Sequence, residues 1–451
     1  MGKAFSEKQY KEIVNECKAF KEKYCDTDEK DIYVQLVHES DGFEELRVTF
    51  DVYPKRLLYG LMDYALTPRA PKFPMFSYRF ETVVDKELYV YEEIKTAAQR
   101  NDGWLKATLC DKDEKDCTFY GQLVWQCGDV EYSEVGIKMQ SGISSSVMHD
   151  INRTTEGFNN KITGSAPLLD ITNANDDSSN PTSYDVYLYK VGDANTTQIT
   201  NTRTNESLLV DCGIERNINY RGLYTQTENA IKMFNPEYIL ISHNHEDHYN
   251  LLFVSGAAQA VALGFNNMSA IKQVIITDAH SGSLSHAIIK SLLGKKLLLL
   301  NPNIHNYQFV LTKAFPNVYV EFGICPGLNS CVGGFQSSLE NDTGMIVSIK
   351  NNHNLVLTGD CSFDFIPAVV GLSDADCIVV PHHGGKVMMN NRIPMKSCCY
   401  PIVSSGFPAL YTGTWYQRQY DQGLFLRNCG VANSLSFLKV LPKICCEIKG
   451  I

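Results

Sequence analysis

One short stretch constrains this chain more than any other. The apolar run Tyr238–Ile241 is typical of a buried strand, and it leads into three histidines and an aspartate, at His243, His245, Asp247 and His248. Imidazole and carboxylate groups are ligands that divalent metals take, and a turn after a strand can direct several of them to one point. A His-rich surface loop is disfavoured, because solvated loops favour Gly, Asn and Lys. The spacing predicts a metal centre at the end of a buried strand.

The His-x-His-x-Asp-His spacing resembles the signature of metallo-β-lactamase-fold hydrolases. In that family the first two histidines hold one metal, and the Asp-His pair holds a second. The resemblance therefore implies one ion on His243 and His245, and another on Asp247 and His248. It also implies an α/β fold of αββα sandwich type, with two mixed sheets packed together, helices outside and the metals at one edge.

Two later apolar runs end in further candidate ligands. The first ends in Gly and Asp360, which matches the family's bridging aspartate, able to touch both metals. The second ends in His382 and His383 followed by two glycines, which resembles the family's His-His-Gly-Ser element. We assign His382 as a ligand of the second metal, and His383, together with Asp247, as catalytic residues. His383 would act as an acid or contact a phosphate, and the opposite assignment of the two histidines is open.

The family's third segment departs from the pattern in this chain. Relatives place a histidine there to hold the first metal, whereas this sequence has Cys325. A thiolate binds Zn²⁺ well, so Cys325 is a candidate third ligand. The alternative of equal weight is a small buried hydrophobic side chain. A His-Pro element near the phosphate is also absent, since Phe407-Pro408 stands in its place.

The strands that precede the histidine motif sharpen the resemblance. The turn after Val191 and the Leu-Leu-Val-Asp211-Cys-Gly213 strand resemble the opening of the same fold. More narrowly, they resemble the branch that contains the nuclease domain of the bacterial DNA-uptake channel protein (ComEC-type). In the family the aspartate at the Asp211 position is structural and hydrogen-bonds the metal-site loop, so it is not counted as a ligand.

The chain has 451 residues, enough for two or three domains. Residues 1–145 are expected to form an α+β accessory domain, 146–183 a polar linker, and 184–451 the metallo-β-lactamase-fold domain, where helices and strands alternate. The accessory domain shows no catalytic constellation. Its expected strands lie at 31–38, 45–53, 76–83, 118–126 and 130–139, and its expected helices at 6–24 and 90–100.

Composition limits the partners and the compartment. The formal net charge is −10, which gives no support to unspecific nucleic-acid binding. The 15 cysteines form no Cys-x-x-Cys pair and several lie in apolar runs, which is typical of a reduced, cytoplasmic chain. No apolar run approaches the roughly 18 residues of a membrane span, and no apolar signal-peptide core follows Met1.

Together these features predict a metal-dependent hydrolase. The resemblance implies two divalent ions, zinc or alternatively manganese, with a bridging hydroxide that attacks phosphorus or a carbonyl carbon. The branch-specific motifs favour a phosphodiesterase or nuclease acting on nucleic acid or another phosphodiester. Two alternatives stay open: hydrolysis of a small ester, lactone or thioester, or a binding module in which the change at Cys325 has ended catalysis.

Overall fold

The structure is a computed structural model, and its secondary structure falls into five α-helices and 21 strands over the residues that it describes. These residues are 7–25, 30–41, 45–68, 74–85, 89–127, 129–140, 142–162, 171–173, 182–189, 191, 194–213, 236–249, 252, 271–277, 283–294, 297–300, 309–311, 315–325, 341–384, 400–402, 438–440 and 445–448. The α-helices are α1 (Glu7–Tyr24), α2 (Lys55–Leu66), α3 (Tyr89–Arg100), α4 (Ser145–Asn159) and α5 (Leu284–Leu293). Short 3-10 helices lie at Glu246–His248, Phe363–Phe365, Ala368–Val370, Leu372–Asp374 and Pro381–Gly384. The strands are β1 (Asp31–Asp41), β2 (Glu45–Pro54), β3 (Ser77–Asp85), β4 (Trp104–Cys110), β5 (Phe119–Cys127), β6 (Asp129–Gln140), β7 (Ile171–Asn173), β8 (Tyr184–Tyr189), β9 (Thr196–Asn201), β10 (Ser207–Cys212), β11 (Tyr238–Ile241), β12 (Gln273–Thr277), β13 (Leu297–Leu300), β14 (Phe309–Leu311), β15 (Val318–Phe322), β16 (Met345–Ile349), β17 (Leu355–Leu357), β18 (Cys377–Val379), β19 (Tyr400–Ile402), β20 (Leu438–Val440) and β21 (Cys445–Ile448).

The first six strands close into an antiparallel barrel in the order β1-β2-β3-β5-β6-β4. Residues on one strand alternate between two faces, so cross-strand partners form rows. Leu36, Phe50 and Phe80 make one such apolar row on β1, β2 and β3, and all three side chains are buried. Closure gives every strand two neighbours and removes the exposed edges that an open sheet would present.

The barrel depends on a strand that the sequence did not predict. The sequence predicted five strands here, and the structure has all five at nearly the expected positions. Strand β4 is the addition, and it pairs with both β1 and β6, which closes the sheet. The helix α2 was also not predicted. Closure is a matter of long-range pairing, so the α+β pattern of the sequence did not reveal it.

The second half of the chain contains two mixed sheets. The eight-stranded sheet has the order β13-β12-β11-β10-β9-β8-β21-β20, and the seven-stranded sheet has the order β19-β18-β17-β16-β15-β14-β7. Side chains of both sheets meet in one apolar core, in which Leu240 and Leu208 share a cluster with Val347 and Leu357. Strands β10 to β13 run parallel, as the predicted alternation of helix and strand requires.

The segment predicted as a polar linker contains regular structure. Helix α4 begins within a residue of its start, with the side chain of Ser144 capping Val147 N at 3.4 Å. Strand β7 adds an edge to the seven-stranded sheet by pairing with β14. The apolar face of α4 packs on α2, where a Cβ on Gly157 would stand 2.9 Å from Ala65 Cβ. The division of the chain into domains stays a prediction.

Helix α5 lies between the two halves of the molecule. Leu284, Ala287 and Ile288 belong to the core cluster of the barrel. Ile289 and Leu293, on the other side of the same helix, pack in a cluster with the eight-stranded sheet. Helix α5 thus contacts both the barrel and this sheet. Among the described residues, no helix combines the length and the apolar character that crossing a bilayer would require.

Candidate metal centre

The predicted site forms where strands of the two sheets end side by side. Strands β10 and β11 run parallel with Val210 opposite Leu240, so the residues that follow them lie at the same edge. From the other sheet, the backbone N–H of Met345 donates to the Ser242 carbonyl oxygen at 2.7 Å. Strand β17 brings Asp360 to the same place. The histidine motif therefore lies at the junction of the sheets.

Asp211 organises the start of the histidine loop. Its carboxylate accepts hydrogen bonds from the backbone N–H of Ser242 at 2.6 Å and from the Ser242 hydroxyl at 2.9 Å. It also lies 2.8 Å from Nδ1 of His248. Because Nδ1 is engaged in this way, the opposite ring nitrogen, Nε2, is the one left to face the other site residues. These contacts agree with the structural role expected of Asp211.

The ligand atoms of the motif fall into two groups that share one aspartate. His243, His245 and Asp360 form the first group, and Asp247, His248 and Asp360 form the second, with all ligand atoms of a group within 4.8 Å of one another. Four of the five side chains are buried, and Asp247 is half-buried. Asp360 is common to both groups.

The donor atoms fit a divalent cation. Nε2 of His243 is buried and makes no hydrogen bond within the described part of the chain; it lies 3.6 Å from Asp360 Oδ2. Its other nitrogen, Nδ1, lies 3.1 Å from the Ser242 hydroxyl. A buried polar atom without a partner costs about 1–3 kcal/mol, whereas a metal bond would satisfy it. A metal-binding histidine usually makes an orienting hydrogen bond with one ring nitrogen and binds the metal with the other.

The pKa values of the two histidines that flank the shared aspartate are shifted in opposite directions. Burial, together with the neighbouring His248 and His245, holds the pKa of His243 well below its ordinary value. Burial would lower the pKa of His248 as well, but Asp360, with Asp211 and Asp247, raises it well above the ordinary value. His243 is therefore neutral, as a ligand must be. At His248 the same carboxylates that favour a proton would also favour a metal cation in its place.

Two glycines allow the backbone to approach the site closely. A Cβ on Gly213 would stand 1.4 Å from the Asp247 carbonyl oxygen, so no other residue fits there without moving the loop. Gly359 has a φ of +55°, and a Cβ on it would stand 3.1 Å from the Ser242 hydroxyl. Gly213 follows Asp211 by two residues and Gly359 directly precedes Asp360, so each glycine lies beside a residue of the site.

The remaining predicted site residues do not join the two groups. Within the part of the chain that the structure describes, the groups contain neither Cys325 nor His382. Cys325 is half-buried just after β15. It lies near Cys361, whose thiol pKa is raised first by burial, then by Asp342, and also by Cys325. His382 has a φ of +52°, and its backbone N–H donates to the Gly359 carbonyl oxygen at 3.3 Å. The side chain of His383 and the Phe-Pro pair at 407–408 lie outside the described residues.

Sequence reasoning missed two residues that build the site. Ser242 connects Asp211, His243 and the neighbouring sheet, yet a single serine before a histidine gives no signal. Asp342 accepts a hydrogen bond from the backbone N–H of Ser362 at 2.8 Å and so holds the turn after Asp360. Asp342 precedes strand β16 in the sequence, and an aspartate at that position gives no sign of its contact with the turn.

Comparisons with known proteins add a distant structural likeness. No family model matches the sequence, and no curated protein matches it. Among solved structures, the chain is similar to the metallo-beta-lactamase fold protein YhfI from Bacillus subtilis, with 15% sequence identity and a TM-score of 0.26. The match covers 43% of this chain and 70% of that one. The chain therefore shows a distant likeness to a metallo-β-lactamase-fold protein, and its candidate metal centre rests on its own side chains.

Proposed function

We propose that this chain is a metal-dependent hydrolase with a centre for two divalent ions. The observation that carries the proposal is the pair of ligand groups that share Asp360. A single shared carboxylate between two three-ligand groups is the arrangement expected of a two-metal site. We also propose that the two sheets and their helices constitute an αββα sandwich, with the centre at one edge.

The chemistry of the donors supports zinc, with manganese as the alternative. Imidazole and carboxylate ligands suit both ions, and an ion with four protein ligands can still take a reactant as its fifth. His243 and His245 would hold the first ion, Asp247 and His248 the second, and Asp360 both. Cys325 and His382 are proposed as additional ligands that would complete the two sets.

Divalent ions at such a centre would lower the pKa of a coordinated water to near 7 and polarise the bond to be hydrolysed. The side chains of this chain prepare the site for that chemistry. Asp211 fixes the ring of His248 through Nδ1. Asp247 is the half-buried member of the groups, so it faces the side from which a reactant enters. We propose His383 as the acid that protonates the leaving group.

A phosphodiester is the substrate class that we propose first. It is favoured by the resemblance of the Asp360 and His382-His383 segments to a nuclease branch of the family. The net charge of −10 weighs against extended contact with a polyanion. A short phosphodiester that contacts the metal centre and little of the surrounding surface is consistent with both the motif resemblance and the negative net charge. An ester, lactone or thioester substrate is the alternative that the same centre would serve.

Metal content and cleavage together test this proposal. We expect two zinc or manganese ions per chain by elemental analysis, and metal-dependent cleavage of bis-p-nitrophenyl phosphate and single-stranded DNA. Asp247→Asn should lose one ion and the cleavage. Cys325→Ala should drop to one ion if the thiolate is a ligand. Two bound ions with cleavage only of p-nitrophenyl acetate would select the ester alternative, and less than one ion per chain would refute the enzyme proposal.

A further inference from the structure

A polar row crosses the face of the barrel that is turned towards α5. Gln35, Asp51 and Arg79 are cross-strand neighbours on β1, β2 and β3, and all three side chains are at least 97% buried, with exposed fractions of 3%, 3% and 1%. Nε of Arg79 donates to Asp51 Oδ1 at 2.9 Å. Buried charges at this depth are retained only when they are paired and hydrogen-bonded. The row is therefore built around a direct ion pair between Arg79 and Asp51.

This row reaches the end of the metal loop. The guanidinium Nη2 of Arg79 lies 3.3 Å from the hydroxyl of Tyr249, which is the residue directly after His248. The same hydroxyl lies 3.2 Å from Nε2 of His286 on α5. Tyr249 is 5% exposed, so its hydroxyl is enclosed by the barrel on one side and by the helix on the other. One side chain thus joins three parts of the chain.

Further contacts fix the helix that carries His286. The side-chain Oε1 of Gln35 accepts a hydrogen bond from the backbone N–H of Leu284 at 3.2 Å, at the first turn of α5, where helix N–H groups have no partner within the helix. Leu284, Ala287 and Ile288 then bury their side chains in the core cluster of the barrel. The barrel consequently determines where His286 stands relative to Tyr249.

Contacts before and after it hold the 3-10 turn Glu246–His248. Before the turn Asp211 binds Ser242, and the same carboxylate also holds the ring of His248, the last residue of the turn. After the turn Tyr249 is bound by Arg79 and His286. A rigid turn matters here because Asp247 and His248 both come from it, and metal affinity falls when the groups that orient the ligands are removed.

We infer that the N-terminal barrel is a positioning unit of the metal centre, in which Arg79 acts through the Tyr249 hydroxyl to hold Asp247 and His248 in place. This inference rests on the proposed function, because it concerns the second ion of the same centre. It assigns a role to the first 140 residues, in which the sequence alone showed no catalytic constellation. Tyr249 and Arg79 are positioning residues, since neither belongs to the two ligand groups.

Tyr249→Phe tests the inference with the loss of a single hydroxyl. The matched control is Tyr53→Phe, which also removes one hydroxyl from the same buried cluster, in this case one that donates to Asp51 Oδ2 at 3.4 Å. Zinc affinity is measured for both ions by competition with a chromophoric chelator. Amide hydrogen exchange is measured on the metal-free proteins over residues 246–249.

We expect Tyr249→Phe to bind the second ion about 10-fold more weakly, with the first ion little changed. Exchange over the turn should become faster in Tyr249→Phe and not in Tyr53→Phe. Equal affinities and equal exchange in Tyr249→Phe and wild type would overturn the inference, and so would equal losses in both variants. If wild type binds no metal, the proposed function fails. In that case exchange decides the positioning role: faster exchange only in Tyr249→Phe supports it, and unchanged exchange overturns it.

Discussion

Two buried clusters of charged side chains lie close together in this molecule, and they are built differently. On the barrel, Arg79 and Asp51 neutralise each other through a direct 2.9 Å hydrogen bond. In the metal centre, the rings of His243 and His248 stand 4.0 Å apart and both face Asp360. In the first cluster two opposite charges of the protein pair directly, whereas the second directs several donors at common points. A direct pair balances its own charges, whereas a convergent cluster of imidazole and carboxylate donors suits a divalent cation.

The largest effect is expected from Asp360→Ala, because this side chain belongs to both ligand groups. Both ions should be lost, and hydrolysis should fall about 1,000-fold, since the ions supply several kcal/mol of transition-state stabilisation. Elemental analysis and the rate of bis-p-nitrophenyl phosphate cleavage measure this. The control is Asp374→Ala, an exposed aspartate of the same segment. If Asp360→Ala retained two ions, the donors around Asp360 would not differ from the Arg79–Asp51 pair by converging on metal.

Arg79→Met should have a large effect on stability. It leaves the Asp51 carboxylate buried without its cation, which costs about 3–5 kcal/mol of the free energy of unfolding. Replacing both partners, in Asp51→Leu with Arg79→Met, should recover most of that loss, because an apolar pair of similar volume often substitutes for a buried ion pair. Urea unfolding followed by the fluorescence of Trp104 and Trp125 in the barrel measures both. If Arg79→Met alone were as stable as wild type, the buried Asp51 carboxylate would not depend on its ion pair with Arg79.

Asp211→Asn should weaken metal binding about 10- to 100-fold by removing the acceptor that orients His248. Asparagine is a suitable replacement because it tolerates the left-handed backbone of this position, where φ is +56°. The unfolding temperature of the metal-free variant shows whether the fold survives. Zinc affinity within twofold of wild type would mean that the ring of His248 is held by other contacts.

The smallest effect concerns a buried acid outside both clusters. Burial raises the pKa of Glu321 to about 7, against the opposing influence of Lys350. Since the folded pKa lies above the unfolded value, its contribution to stability is full below pH about 4.5 and is lost as the pH rises towards 7. Glu321→Gln should remove about 1–2 kcal/mol of that dependence, allowing for residual solvation.

A second glutamate provides the comparison for this pH effect. Burial also raises the pKa of Glu81 on the barrel to about 7, with Arg79 opposing it. In Glu321→Gln, the free energy of unfolding in urea should therefore still fall between pH 5 and pH 8, but by less than in wild type. Stability of wild type that does not fall between these two pH values would contradict the raised pKa of both groups.

Local elements followed well from the sequence, because they depend on periodicity along a few residues. The strand Tyr238–Ile241 has the predicted bounds, and helix α1 begins one residue after its expected start. The closure of the barrel by β4, the helix in the predicted linker and the docking of α5 did not follow. Each of these depends on pairing or packing between segments far apart in the chain, which no local pattern encodes.

The sequence by itself determined the candidate metal ligands, since ligand chemistry and strand-end spacing are properties of residue type and order. It also indicated that Asp211 is structural and that Asp360 lies at the same edge as the histidines. Only the tertiary structure decided that Asp360 belongs to both ligand groups, because the two sheets must first pack against each other. It alone brought Arg79 to Tyr249, 170 residues away, since burying a charged side chain requires a partner supplied by the fold.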